Sequence, residues 1–285
     1  MASLTFEGGL GQAATAGGIS NYGVLTLTAS SITGNSAFSG GGIVNMGSLT
    51  LVDCKVSGNS ATNNGGIASF GALTLVGSTV SGDSATVGNG GLANYGGQLT
   101  VTDSTISGNT ATGAGGIGNY DAGTATITNS IVSGNSANGA CGGGIINSGT
   151  LMISGSAIAE NSSTYGGGIA NTGSLTLVNS DVYENSAINN GGIVNSGSLT
   201  LVESTVSGNR ATIGNGGLAN YGGQLAVTES TISGNTATGG GGIGNYDGGT
   251  AIITDTNVSG NTATGACGGG ISSRFLGSRL AQLRG

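Results

Sequence analysis

The sequence predicts an all-β fold: a right-handed parallel β-helix of about ten coils, each of 24–28 residues with three short strands. Three observations carry this. A Gly-Gly-Ile/Leu step recurs with its apolar residue at Ile19, Ile43, Ile67, Leu92, Ile117, Ile145, Ile169, Ile193, Leu218, Ile243 and Ile271, at intervals of 24, 24, 25, 25 and 28 that then repeat. Aliphatic pairs alternate with polar residues, a period of two that marks strands. Two columns of Asn recur at fixed offsets from these steps. A period in this range means stacked units, none of which can bury its apolar face alone. Right-handed coiling follows from the hand that parallel strand connections take.

Each coil reads the same way. The longest alternating stretch places aliphatic pairs inward, as at Leu49/Leu51, Leu73/Leu75 and Leu99/Val101. A second inward column follows a turn (Ile32, Val56, Val80, Ile106 and onward), and the Gly-Gly-Ile/Leu position supplies a third. One Asn column lies two residues after that position, with Ser at 69 and 273; the other closes Ser-Gly-Asn, with Asp83 as its exception. Stacked amides can satisfy one another and the turn backbone, and Asn and Gly tolerate left-handed turn conformations. A helical reading fails because Gly and β-branched residues dominate over long helix formers.

The boundaries follow from the repeat. Residues 1–15 form a partial first coil, 16–271 the array, and 272–285 a non-repeat tail or short cap. Within the array a five-coil block is duplicated at an offset of 126, which equates Cys141 with Cys267 and Asp121 with Asp247. Ser3-Leu4-Thr5-Phe6 matches the Ser-Leu-Thr-Leu of later coils, so the chain is expected to start inside a coil, as a piece of a longer array or a product without its targeting segment. In the tail, Phe275, Leu276, Leu280 and Leu283 would line one face of a short capping helix.

With 63 Gly, the composition alone would suggest disorder, but only 6% of residues are charged and the apolar 36% fall in register. The net charge is −7, and three of the five bases (Arg274, Arg279, Arg284) sit in the tail. That leaves an acidic array and argues against nucleic acid and anionic membrane as partners. No stretch suits a membrane-spanning helix, and no secretory signal is visible. Without His or a Cys-x-x-Cys pair, a thiolate or imidazole metal site is excluded, and no cofactor is expected.

Gly41-Gly42-Ile43 and Val56-Ser57-Gly58-Asn59, repeated along residues 16–271, resemble the repeats of bacterial surface β-helix proteins, in particular chlamydial-type polymorphic outer-membrane proteins and autotransporter passengers. Those carry Gly-Gly-Ala-Ile/Leu/Val and Phe-x-x-Asn, so this chain lacks the Ala and has Val for Phe. The resemblance implies an extracellular or cell-surface passenger that contacts a host or matrix surface, or a polysaccharide, through its lateral faces.

Candidate chemistry is sparse. Asp53, Asp103, Glu203, Glu229 and Asp255 share one turn column. Glu203, Glu229 and Asp255 stand in consecutive coils about 5 Å apart, the candidate for a divalent-cation site. Surface acids need no special role. The array's only bases, Lys55 and Arg210, lie in different blocks, and the repeat reads as nearly unbroken. Outward on the longest strand stands a charge-free two-file array, Thr26, Thr28, Thr50, Thr74, Thr100, Thr102, Thr126 and Thr128 with intervening Val, which resembles the Thr faces of β-solenoid ice-binding proteins. A Tyr/Phe column (Tyr22, Phe70, Tyr95, Tyr120, Tyr221, Tyr246) is expected to face outward. The sequence reading is therefore a non-enzymatic structural or adhesive module. Its alternatives are an ice-binding protein and a polysaccharide lyase or hydrolase of β-helix type.

Overall fold

The computed structural model describes residues 4–11, 16–265, 267–273 and 280–284, and among them the fold is a right-handed parallel β-helix without helices. The repeats stack into four parallel sheets, three of eleven strands and one of ten. One sheet runs from Ile19–Asn21 to Ile271–Ser273 and contains the Gly-Gly-Ile/Leu positions. The long-strand sheet begins at Val24–Thr28, and the third, with the Val/Ile column, includes Lys55–Ser57 and Thr79–Ser81. Equivalent residues pair coil to coil in register, as in Leu49 with Leu73 and Val56 with Val80.

The fourth sheet, which includes Ser36–Ser39, Ser60–Asn63 and Arg210–Ile213, makes four strands per coil rather than three. It follows Ser-Gly-Asn and turns a single small residue inward, such as buried Ala61, Ala137 or Ala211, between polar neighbours. One Ala among Ser and Thr gives little alternation for a hydrophobic pattern to reveal.

The core is one continuous column of Leu, Ile and Val, of which Leu51, Leu75, Ile106, Leu177 and Val206 are fully buried. Burying each such side chain stabilises by about 1.5–3 kcal/mol. Both Asn columns are buried ladders. Asn171 Nδ2 donates to Asn195 Oδ1 at 2.7 Å in one, and Asn109 Nδ2 to Asn135 Oδ1 at 2.9 Å in the other.

The three cysteines are free, and Cys54 is buried in a column otherwise held by Ser and, at its last rung, Thr256; its thiol donates to the Val52 carbonyl at 3.3 Å. The expected capping helix is not what Leu280 and Leu283 form. Leu280–Arg284 is a strand that extends the long-strand sheet, pairing with Thr250–Thr254. The open edge of Thr250–Thr254 offers backbone partners that an isolated short helix would leave unused. Phe275 and Leu276 lie outside the described residues.

Candidate functional site

The Thr positions come together as read from the sequence. Thr26, Thr50, Thr74, Thr100 and Thr126 occupy five consecutive rungs of the long-strand sheet, with Thr102 and Thr128 paired beside them and Thr28 next to Val52. The file stops where Thr126 pairs with Met152, and further on Ala226 meets Ile252.

The acid column has a backbone explanation. Ala29, Asp53, Gly77, Asp103, Asn129, Gly155, Asn179, Glu203, Glu229 and Asp255 all take the left-handed conformation, with φ between 47° and 58°. This turn joins the long strand to the third sheet; Asp, Asn and Gly suit it, whereas Ala29, Glu203 and Glu229 hold it at a backbone cost. Glu203, Glu229 and Asp255 are exposed in neighbouring coils. Among the described residues, no three Asp, Glu, Cys or His side chains gather closely enough to hold a metal ion.

In the aromatic column Tyr22 and Phe70 face outward as read from the sequence, whereas Tyr95, Tyr120, Tyr221 and Tyr246 are half-buried. Phe70, Tyr95 and Tyr120 stack face to face at 5.0 and 5.5 Å, and Tyr221 stacks on Tyr246 at 5.3 Å. Their hydroxyls turn inward: Tyr120 donates to Asn89 Oδ1 at 2.7 Å and Tyr246 to Asn215 Oδ1 at 2.9 Å. Burial pushes the Tyr120 and Tyr221 hydroxyls up, so both stay protonated at neutral pH. Rings that cover one another offer few free faces for stacking on a sugar.

The feature that sequence reading missed lies in the turn between the third and fourth sheets. Gly34, Gly58, Gly82, Gly108, Gly134, Gly208, Gly234 and Gly260 occupy one position there with φ of 62–64°. Glu160 and Glu184 fill the same position in two consecutive coils, with φ of 56° and 55°. Glutamate is costly in this conformation, where only Gly sits freely, and strained residues of this kind cluster at functional sites. Both side chains are exposed, on backbones one rung, about 4.8 Å, apart. The Glu184 side chain leans toward Gly208, two residues before the exposed Arg210.

Beside these groups the outer face of the fourth sheet forms an open depression of about 300 Å³, lined by Ser162, Ser163, Ser186, Ala187, Ile188, Arg210 and Thr212. On the neighbouring ridge a second, of about 380 Å³, has Asp181 on its rim. Two carboxylates, one guanidinium and a row of hydroxyls thus share one stretch of the surface. The signal available in the sequence was Ala-Glu-Asn and Tyr-Glu-Asn where the other coils have Gly at the middle position, mostly as Ser-Gly-Asn.

No family model matches the chain, and no curated protein does. Among solved structures, the rod is similar to the periplasmic alginate epimerase AlgG, with 12% identity, a TM-score of 0.52, and 90% of this chain and 76% of that one covered. It also aligns with the pectate lyase Pel9A, with 12% identity, a TM-score of 0.41, and coverage of 90% and 68%. At this identity the likeness is one of fold. It nonetheless corrects the reading of a non-enzymatic structural or adhesive module and of a chain that is not an enzyme, because the matching architecture is that of a polysaccharide-modifying enzyme. That reading had rested on an unbroken exterior, and Glu160 and Glu184 break it.

Proposed function

We propose that this chain is a polysaccharide-cleaving enzyme of β-helix type, acting outside the cytoplasm, with its site at Glu160, Glu184 and Arg210. The observation that carries this is the pair of glutamates held left-handed in adjacent coils where the other coils have Gly. Glycoside hydrolysis needs two carboxyl groups flanking the bond, one to protonate the leaving oxygen and one to attack the sugar carbon or activate water. A separation near one rung, about 5 Å, is the spacing at which the second carboxylate acts as nucleophile. Arg210 would orient the glycan by donating to its hydroxyl or carboxylate oxygens. Ser162, Ser186 and Thr212 line the path of the neighbouring sugars. The shared architecture with an alginate epimerase supports a glycan substrate.

The test is incubation with alginate, polygalacturonate, xylan and β-glucans, following new reducing ends and ultraviolet absorption by unsaturated sugars. Hydrolysis gives the first signal alone, whereas elimination gives both. Glu160→Gln and Glu184→Gln should each lower turnover by about 10²–10⁴-fold. Absence of cleavage across the panel, or turnover unaffected by both substitutions, overturns the assignment.

A further inference from the structure

Among the described residues, only two buried side-chain polar atoms lack a hydrogen-bond partner, Asp83 Oδ2 and Asn94 Oδ1. Both trace to one coil, residues 67–91, where each asparagine ladder has its exception. In the ladder that closes Ser-Gly-Asn, every amide Nδ2 has the same task. Asn59 donates to Ile32 O at 3.0 Å, Asn109 to Val80 O at 3.1 Å, and Asn209 to Val182 O at 2.9 Å. By this register the carbonyl that faces Asp83 is that of Val56.

Asp83 Oδ1 already accepts from the backbone and side-chain amides of Asn59, at 2.7 and 2.9 Å. Oδ2 is therefore buried, and by the register of the neighbouring rungs it takes the place of a donor to the Val56 carbonyl. Two acceptors cannot satisfy each other. In the second ladder Asn45 donates to Ser69 Oγ, which turns its own proton to Gly71 O and leaves Asn94 Oδ1 without a donor.

We propose that this coil is a proton-gated joint in the rod: Asp83 is held as a neutral acid whose Oδ2–H replaces the missing amide donor, and release of that proton to solvent loosens residues 67–91. No charged group faces it among the described residues. The preceding coil presents Asn59 and Val56, the following coil Asn109, and Gly66 lies across from Oδ2. Burial without a counter-charge disfavours the carboxylate. Burial pushes the Asp83 carboxyl up to about 7, even though the Asn59 hydrogen bonds lower it. Ser69 leaves the same coil short of a second inter-coil bond, so the region that must absorb the new charge has two defects in its ladders. The duplicated block holds Asn195 and Asn209 at the equivalent positions, and its ladders are continuous there.

The test combines carbon NMR of the Asp83 carboxyl with hydrogen exchange of the whole chain, read against Asp83→Asn to cancel intrinsic pH effects. At about pH 5 the carboxyl should resonate as the protonated acid. Opening of residues 67–91 relative to the variant should rise by up to about tenfold per pH unit between about pH 5 and pH 7. Asn209→Asp should transfer the behaviour to residues 193–217. An ionised Asp83 at about pH 5, exchange in 67–91 that tracks Asp83→Asn at every pH, or an inert Asn209→Asp would each overturn the joint. None of these readouts depends on catalysis.

Discussion

Replacing Glu160 and Glu184 by Gly should make the protein more stable and catalytically inert at once. Both residues hold φ near 55° in a column where the other coils carry Gly at 62–64°. A side chain with a Cβ pays about 1–2 kcal/mol there. Gly returns about 0.5–1 kcal/mol of that through its greater freedom in the unfolded chain. The net gain is about 0.5–1 kcal/mol per site. The two positions lie one rung apart, so the double variant is expected to deviate from simple addition by a few tenths. Urea denaturation followed by far-ultraviolet circular dichroism reads the shift in midpoint. Glu160→Gln and Glu184→Gln are the controls, since they keep the backbone conformation and remove only the charge. Their stability should stay within about 0.5 kcal/mol of the parent while cleavage is lost. A loss of stability in Glu184→Gly would refute the reasoning, because it would mean that the side chain leaning over Gly208 contributes more by packing than the turn costs.

Stability should fall as pH rises from about 4 to about 7 and then level off. The Asp83 carboxyl rises from 3.8 to about 7 on folding, so the folded state binds the extra proton throughout that window. The ceiling is about 4 kcal/mol, and Asp83→Asn should abolish the slope; urea titrations at several pH values decide, and a wild-type stability that climbs across the window counts against it. Gly118→Ala should expel the Tyr120 ring, which a Cβ there would strike, and cost about 1–3 kcal/mol as the bond to Asn89 is lost, visible in near-ultraviolet circular dichroism. Thr100→Lys should leave stability within about 0.5 kcal/mol. The parent protein should show no thermal hysteresis, because Met152 and Ile252 interrupt the Thr file that an ice lattice would have to match.

Most of the architecture was legible in the sequence because a stacked coil repeats its constraints. Leu49, Leu73 and Leu99 recur in register and are buried in register. The Asn columns announced buried ladders for the same reason. The fourth strand was hidden because its inward residue is a lone Ala, as at Ala61 or Ala211. The C-terminal strand was misread because Leu280 and Leu283 fit a helical face as well as a sheet edge, and only the pairing with Ala251 and Ile253 decides between them. The site was harder still. Glu160 and Glu184 look like ordinary surface acids until their column is seen to be left-handed and otherwise Gly, whereas Glu203 and Glu229, left-handed as well at 50°, sit in a column that Ala, Asp, Asn and Gly share.

The internal duplication supplies its own comparison. At an offset of 126 the inward residues keep their character: Ile145 answers Ile19, Leu151 answers Leu25, and Ile158 answers Ile32. Many of the differences fall on turns and outer faces. Glu160, Glu184 and Glu203 stand where the first block has Gly34, Gly58 and Gly77; Asp181 replaces Lys55, and Arg210 replaces Ser84. These five substitutions occupy three consecutive coils, and two of them, Asp181 and Arg210, line the two open depressions. Three of them also replace Gly at left-handed turns, where the backbone penalty favours keeping Gly. In the first block the two exceptions to the asparagine ladders, Ser69 and Asp83, are buried and weaken inter-coil bonding rather than decorating a surface. A chemistry placed in the second block and a joint placed in the first share one scaffold, and neither requires the other.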